Sequence, residues 1–165
     1  MSKDVVTSDA ATAAGSPQDV AMRMRRLQQS FDAFDEAAAA VLGLNRTDLR
    51  CLDLVLAADS LSAGELTAAA KLSPAATTTA IDRLERAGFV TRTRDAANRR
   101  RVLVTATDAA REAEREVHLP VGEAGRRALR RYDAQQLALI VDFLDTAREV
   151  QEEQTERLKS LPRGG

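Results

Sequence analysis

Arg94, Arg99, Arg100 and Arg101 crowd the stretch TRDAANRRRVLVT at residues 93–105. Guanidinium groups are permanent cations with forked donors that suit phosphate and carboxylate oxygens. A second group stands just upstream. Ser73, Ala75, Thr78 and Thr79 offer hydroxyls and methyls, and Arg83 and Arg86 follow. Between Asp82 and Arg101, seven arginines face three acids, a local charge of +4. The whole chain carries −1, so the remainder carries −5. A basic patch on a slightly acidic chain is a localised electrostatic footprint rather than general stickiness.

Other chemistry finds little support. Cys51 and His118 are the only residues of their types. Neither a disulfide nor a cysteine- or histidine-rich metal site is therefore expected. Cys51 lies beside the apolar face of TDLRCLDLVL and reads as a small hydrophobe. No nucleophile with a neighbouring base and no glycine-rich phosphate loop is visible, so neither an enzyme nor a cofactor is expected.

The elements that must carry the basic groups follow from periodicity and caps. Residues 1–17 are small and polar and read as a disordered tail. Val20, Met24, Leu27, Phe31, Phe34, Ala38 and Val41 recur at steps of four and three, a helical stripe that must be buried against something. Gly43 and Asn45 end that helix, and Thr47 is expected to cap the next, with Leu49, Leu52 and Leu56 on one face. Ser62 with Glu65 forms a capping-box pattern that opens a short helix to about Ala70. Ser73 as cap and Pro74 at the first helical position start another, which stops at Gly88. Thr77, Ile81 and Leu84 are its inward face. Ala75, Thr78, Thr79, Asp82, Arg83 and Arg86 point outward. Residues 89–94 and 101–105 read as paired strands around the basic loop. Two short helices, a tight turn and a hairpin make a winged helix, with the loop as its wing.

Beyond Thr105 the chain is helical again. Pro120 and Gly122 are expected to kink or interrupt it. Asp133 and Gln136 repeat the capping-box pattern, and the last helix is expected to bury Leu137, Ile140, Val141 and Leu144. The fold class is mainly α: a winged helix-turn-helix at 46–107, a helical region at 18–45 and 108–160, and the tail at 1–17. No apolar run approaches a transmembrane length and no signal peptide is visible, so a cytoplasmic protein is expected.

The stretch LSAGELTAAAKLSPAATTTAIDRLERAGFVTRTRDAANRRRVLVTATDAA, residues 61–110, resembles the MarR (multiple-antibiotic-resistance regulator) family of bacterial transcription factors, and the likeness extends over residues 20–158. Leu72-Ser73-Pro74 and Arg83-Leu84-Glu85-Arg86-Ala87-Gly88-Phe89-Val90 keep the family pattern. In the wing pattern Asp-x-Arg, five residues, Leu-Thr, two residues, Gly, this chain keeps Arg100 and Thr107 but has Asn98, Ala106 and Ala110 at the other positions. The resemblance implies a homodimer on palindromic duplex DNA, acting as a repressor. Helix 74–87 would lie in the major groove, and wing 94–101 at the minor groove. It places Ser73, Ala75, Thr78, Thr79, Arg83, Arg86, Arg94, Asn98, Arg99 and Arg100 on the DNA. Val20, Met24, Leu27, Leu137, Ile140 and Leu144 would form the dimer interface. A pocket for a small-molecule effector would lie near Phe31, Phe34 and Leu52. The alternative class is a winged-helix module whose basic wing binds an acidic protein partner; salt-dependent, duplex-specific binding separates the two.

Overall fold

The computed structural model describes residues 15–95 and 101–162. The chain forms two compact units that divide at Val117/His118. The first holds α1 (Pro17–Val41), α2 (Arg46–Ala58), β1 (Ser60–Ser62), α3 (Ala63–Ala70), α4 (Pro74–Arg86), β2 (Val90–Arg94), β3 (Val102–Ala106) and the start of α5 (Asp108–Leu129). The second holds the rest of α5 and all of α6 (Ala134–Ser160). This is the winged-helix architecture with flanking long helices. The division leaves α1 in the same unit as the winged helix, whereas the sequence grouped it with the C-terminal helices.

Caps fix the helix starts. Ser16 Oγ accepts from Asp19 N at 3.2 Å and Pro17 is the first helical residue, so the start of α1 takes two residues assigned to the tail. At α2 the cap is Asn45 rather than Thr47. Asn45 Oδ1 accepts from Asp48 N at 2.9 Å, and Asn45 Nδ2 donates to Asp48 Oδ2 at 2.8 Å. Thr47 has no acid three residues on to close such a box, which decides between the two. Ser62 with Glu65 and Asp133 with Gln136 form the expected capping boxes at α3 and α6. Gly88, at φ +79, ends α4. Its N–H reaches Glu85 O at 3.0 Å and Phe89 N reaches Leu84 O at 3.0 Å, a Schellman closure that requires a left-handed residue.

The core of the first unit gathers Leu52 and Val55 of α2, Leu66 and Ala70 of α3, Ala80, Ile81 and Leu84 of α4, and Val90, Val104 and Ala110. Burying a side chain the size of Ile81 or Leu84 contributes about 2 kcal/mol. A smaller cluster sets Ala38 and Ala39 of α1 on Leu49, with Phe34, Leu42 and Val117 packed around them.

The sheet holds three antiparallel strands in the order β1-β3-β2, one more than the hairpin expected. The third is Ser60-Leu61-Ser62, paired with Thr105, Val104 and Leu103. Three residues show no period, so only the partner strand reveals them.

Two expectations for the long helices are corrected. α5 runs unbroken through Pro120 and Gly122. Proline removes one backbone donor, and the remaining ladder carries the helix across that gap. No residue of α6 is buried within the chain. Val141 is 58% and Leu144 51% exposed, while Leu137 and Ile140 are half-buried. On α1, Val20, Met24, Leu27 and Phe31 are exposed as well. Much of each apolar stripe is left exposed by its own chain. No helix among the described residues is long and apolar enough to cross a membrane.

Candidate nucleic-acid interface

The α3-turn-α4 unit sets one helix face outward. The turn is Lys71-Leu72-Ser73, with Lys71 left-handed at φ 56 closing α3. Ser73 Oγ accepts from Ala76 N at 3.2 Å to start α4. Thr77, Ala80, Ile81 and Leu84 are buried, and the Thr77 hydroxyl is satisfied by Ser73 O and Thr67 Oγ1 at 3.1 and 3.0 Å. Ala75, Thr78, Thr79 and Arg86 are exposed on the opposite side, as their spacing requires. Thr78 Oγ1 donates to Pro74 O at 3.0 Å and Thr79 Oγ1 to Ala75 O at 2.9 Å.

Arg83, which the sequence assigned to the outward face, is engaged within the fold. Its Nε and Nη2 grip Asp48 of α2 at 2.6 and 2.7 Å. Asp48 is 1% exposed, and the Arg83 side chain 37%. The Asp48 carboxylate raises the already high pKa of Arg83 further. A bidentate pair with one member buried fixes both distance and orientation, so it locks α4 to α2. The sequence reading missed Asp48 altogether. It sits in an ordinary first-turn position, and its partner lies 35 residues away.

Besides Arg83, two more arginines of the basic patch meet nearby acids. Arg92 on β2 reaches both Asp82 and Glu85 of α4, a clamp between strand and helix. Arg101 pairs with Glu65 at the start of α3 and with Asp95. Of the patch arginines that are described, this leaves Arg86 and Arg94 without a hydrogen bond or ion pair among the described residues. Residues 90, 92 and 94 share one face of β2. Arg94 therefore continues the row on which Val90 enters the core and Arg92 meets α4. Asn98, Arg99 and Arg100, the rest of the expected wing contacts, lie outside the described residues.

Thr107, a position kept from the family wing pattern, joins the hairpin to α5. Its Oγ1 donates to Gly88 O at 2.7 Å and accepts from Ala110 N at 3.2 Å.

The Arg101–Glu65 contact gives the wing base a pH response. The Ser62 backbone N–H, then Arg101, then the Ser62 hydroxyl hold the Glu65 carboxyl down at about 2, from an ordinary 4.5. A depressed acid contributes stability that is complete above its unfolded value and is lost as pH falls through the folded one. The loss therefore runs from about pH 4.5 down to about pH 2. Glu65→Gln keeps the capping amide but removes the charge, and acid titration of Tm should show a flatter decline across this window. An unchanged acid limb would mean the pair does not act in solution.

Of the expected effector residues, Leu52 is in the main core, Phe34 packs on Ala38 and Ala39, and Phe31 is 61% exposed. A cavity of about 360 Å³ is lined by Asp35, Arg46, Thr47, Leu49, Arg50, Asp53, Ala70 and Leu72. Arg46 is already tied to Asp32 and Asp35 at 3.0 and 3.5 Å. Cys51 is fully buried, and burial pushes its thiol pKa up, which disfavours the reactive thiolate.

Residues 44–102, from the end of α1 to the first residue of β3, match the family model described as the MarR family. The uncharacterized HTH-type transcriptional regulator YcgE of Bacillus subtilis (strain 168) is 37% identical over 135 residues, covering 82% of this chain and 88% of YcgE. The chain belongs to the MarR family. Solved structures agree on the fold. RV1404 from Mycobacterium tuberculosis superposes with a TM-score of 0.67 at 20% identity, covering 85% of this chain and 97% of that one. Apo MarR from E. coli gives 0.58 at 20% identity, covering 78% and 95%. In this MarR-family chain the matched segment contains α4, the Asp48–Arg83 lock and both sides of the Arg92 clamp.

Proposed function

We propose that this MarR-family regulator binds palindromic duplex DNA as a homodimer and acts as a repressor. In this reading α4 enters the major groove with Ala75, Thr78 and Thr79 toward the bases. Ser73 and Arg86 meet phosphates at its two ends. Arg94 leads into the wing, whose Asn98, Arg99 and Arg100 the sequence places at the minor groove, where negative potential is concentrated. The observation that carries the reading is the outward face of α4: small, exposed side chains on a helix locked from behind by Asp48–Arg83. Such a face admits close approach to base edges, and the lock holds it in one orientation.

Dimerisation is supported by the exposed stripes of α1 and α6. Val20, Met24 and Leu27 on one helix and Leu144 on the other are exposed in the single chain, and Leu137 and Ile140 are only half-buried. Two-fold pairing would place two copies of α4 about one turn of DNA apart. A small-molecule effector would release the DNA by favouring a dimer geometry with different spacing.

Genomic-fragment selection with purified protein tests the reading, and Arg94→Ala tests the wing's share. The wild type should retain duplexes with an affinity that falls steeply with salt. Arg94→Ala should flatten the log K against log salt slope by about one unit per lost phosphate contact, twice over in a dimer. Binding of an acidic protein with no duplex retained at any salt would replace this function with the protein-contact alternative.

A further inference from the structure

We infer that the Ala75, Thr78 and Thr79 face of α4 reads the 5-methyl groups of thymine and the base-edge donors of adenine or cytosine, and does not read guanine. This rests on the placement of α4 in the major groove proposed above, and concerns which bases it recognises there.

The argument is a donor inventory. Guanine presents two acceptors in the major groove, N7 and O6, so reading it takes a donor, most often a forked arginine. From Pro74 to Asp82 no exposed side chain of α4 has an uncommitted donor. Ala75 ends in a methyl. Thr78 and Thr79 have spent their hydroxyl hydrogens on the carbonyls of Pro74 and Ala75, leaving oxygen lone pairs and methyls at the surface. Asp82 is an acceptor and is held by Arg92. The one arginine midway along the helix, Arg83, lies beyond these positions, and two of its five N–H groups tie it to Asp48 of α2.

Donors stand at the ends. Lys71 and Ser73 precede the helix. Arg86 lies eleven residues beyond Ala75, about 16 Å along the axis. Groove-entering helices touch bases through their N-terminal residues, so Arg86 is left to the phosphate backbone. What faces the base edges is then methyl plus acceptor. A methyl packs on the thymine 5-methyl, and a threonine oxygen accepts from adenine N6 or cytosine N4.

The test takes a duplex recovered by selection and measures its affinity by fluorescence anisotropy after two base replacements. Deoxyuridine for thymine deletes only the 5-methyl. 7-Deazaguanine for guanine deletes only the N7 acceptor. Deoxyuridine in the half-sites should weaken binding about fourfold per contacted methyl, and about sixteenfold when each half-site contributes one. 7-Deazaguanine at the base pairs adjoining those thymines should leave affinity unchanged. The double variant T78S/T79S keeps both hydroxyls but loses both methyls, and should narrow the gap between thymine and deoxyuridine duplexes. A duplex that is bound tightly, insensitive to deoxyuridine or weakened by 7-deazaguanine, overturns the inference and leaves the DNA function standing. A protein that retains no duplex overturns both.

Discussion

Arg83→Met should destabilise the protein far more than Asp48→Asn, although each removes one half of the same ion pair. The asymmetry comes from burial. Without the guanidinium, the Asp48 carboxyl is left at 1% exposure with Asn45 as its remaining side-chain partner. An uncompensated buried carboxylate costs on the order of 3 kcal/mol. Asp48→Asn leaves a neutral amide in the pocket, and Arg83, being 37% exposed, can turn to water. Replacing both by Met and Leu should recover much of the loss, because a buried pair can be exchanged for apolar packing at little net cost. Urea denaturation of the four proteins at one fixed concentration measures this. Equal losses in the two single variants would show that the pair is not the lock between α2 and α4.

The second large effect concerns assembly. Leu27 is 48% exposed in the single chain, midway along the apolar stripe of α1. Leu27→Asp places a charge where the proposed partner subunit packs. Sedimentation should shift from twice the chain mass of 17.8 kDa to the single-chain mass, with helix content retained. Affinity for a two-half-site duplex should then drop by a hundredfold or more, because the second half-site loses the effective concentration that linkage supplies. A wild type that sediments as a folded single chain at micromolar concentration would contradict the dimer.

What was legible in the sequence was mostly local. The Ser62–Glu65 and Asp133–Gln136 boxes, the Ser73-Pro74 start and the Gly88 stop each involve residues within a few positions of one another. The buried row Thr77, Ile81, Leu84 follows from one helical period. Those signals sufficed to draw the winged helix and the outward face of α4. The features that escaped depend on distant partners. Asp48 gains its meaning from Arg83, and β1 from pairing with β3. The charge count marked a localised basic patch, but Asp48, Asp82, Glu85, Glu65 and Asp95 lie against three of its arginines. Counting charges cannot tell which cations face inward-pointing acids. The neighbourhood of Phe31, Phe34 and Leu52 was offered by the family resemblance alone; in the single chain Leu52 lies in the core and Phe31 is exposed. Leu137, Ile140, Val141 and Leu144 read as buried because an apolar stripe says only that cover is needed; their own chain half-covers Leu137 and Ile140 and leaves Val141 and Leu144 exposed.

The central claim is that two chains together hold one palindromic duplex through α4 and the wing. Sedimentation of the protein with a selected duplex, over a series of salt concentrations, measures it directly. The expected result is a complex of two chains per duplex that dissociates progressively as salt rises. A complex with one chain per duplex, or no complex at low salt with any selected fragment, would contradict the account.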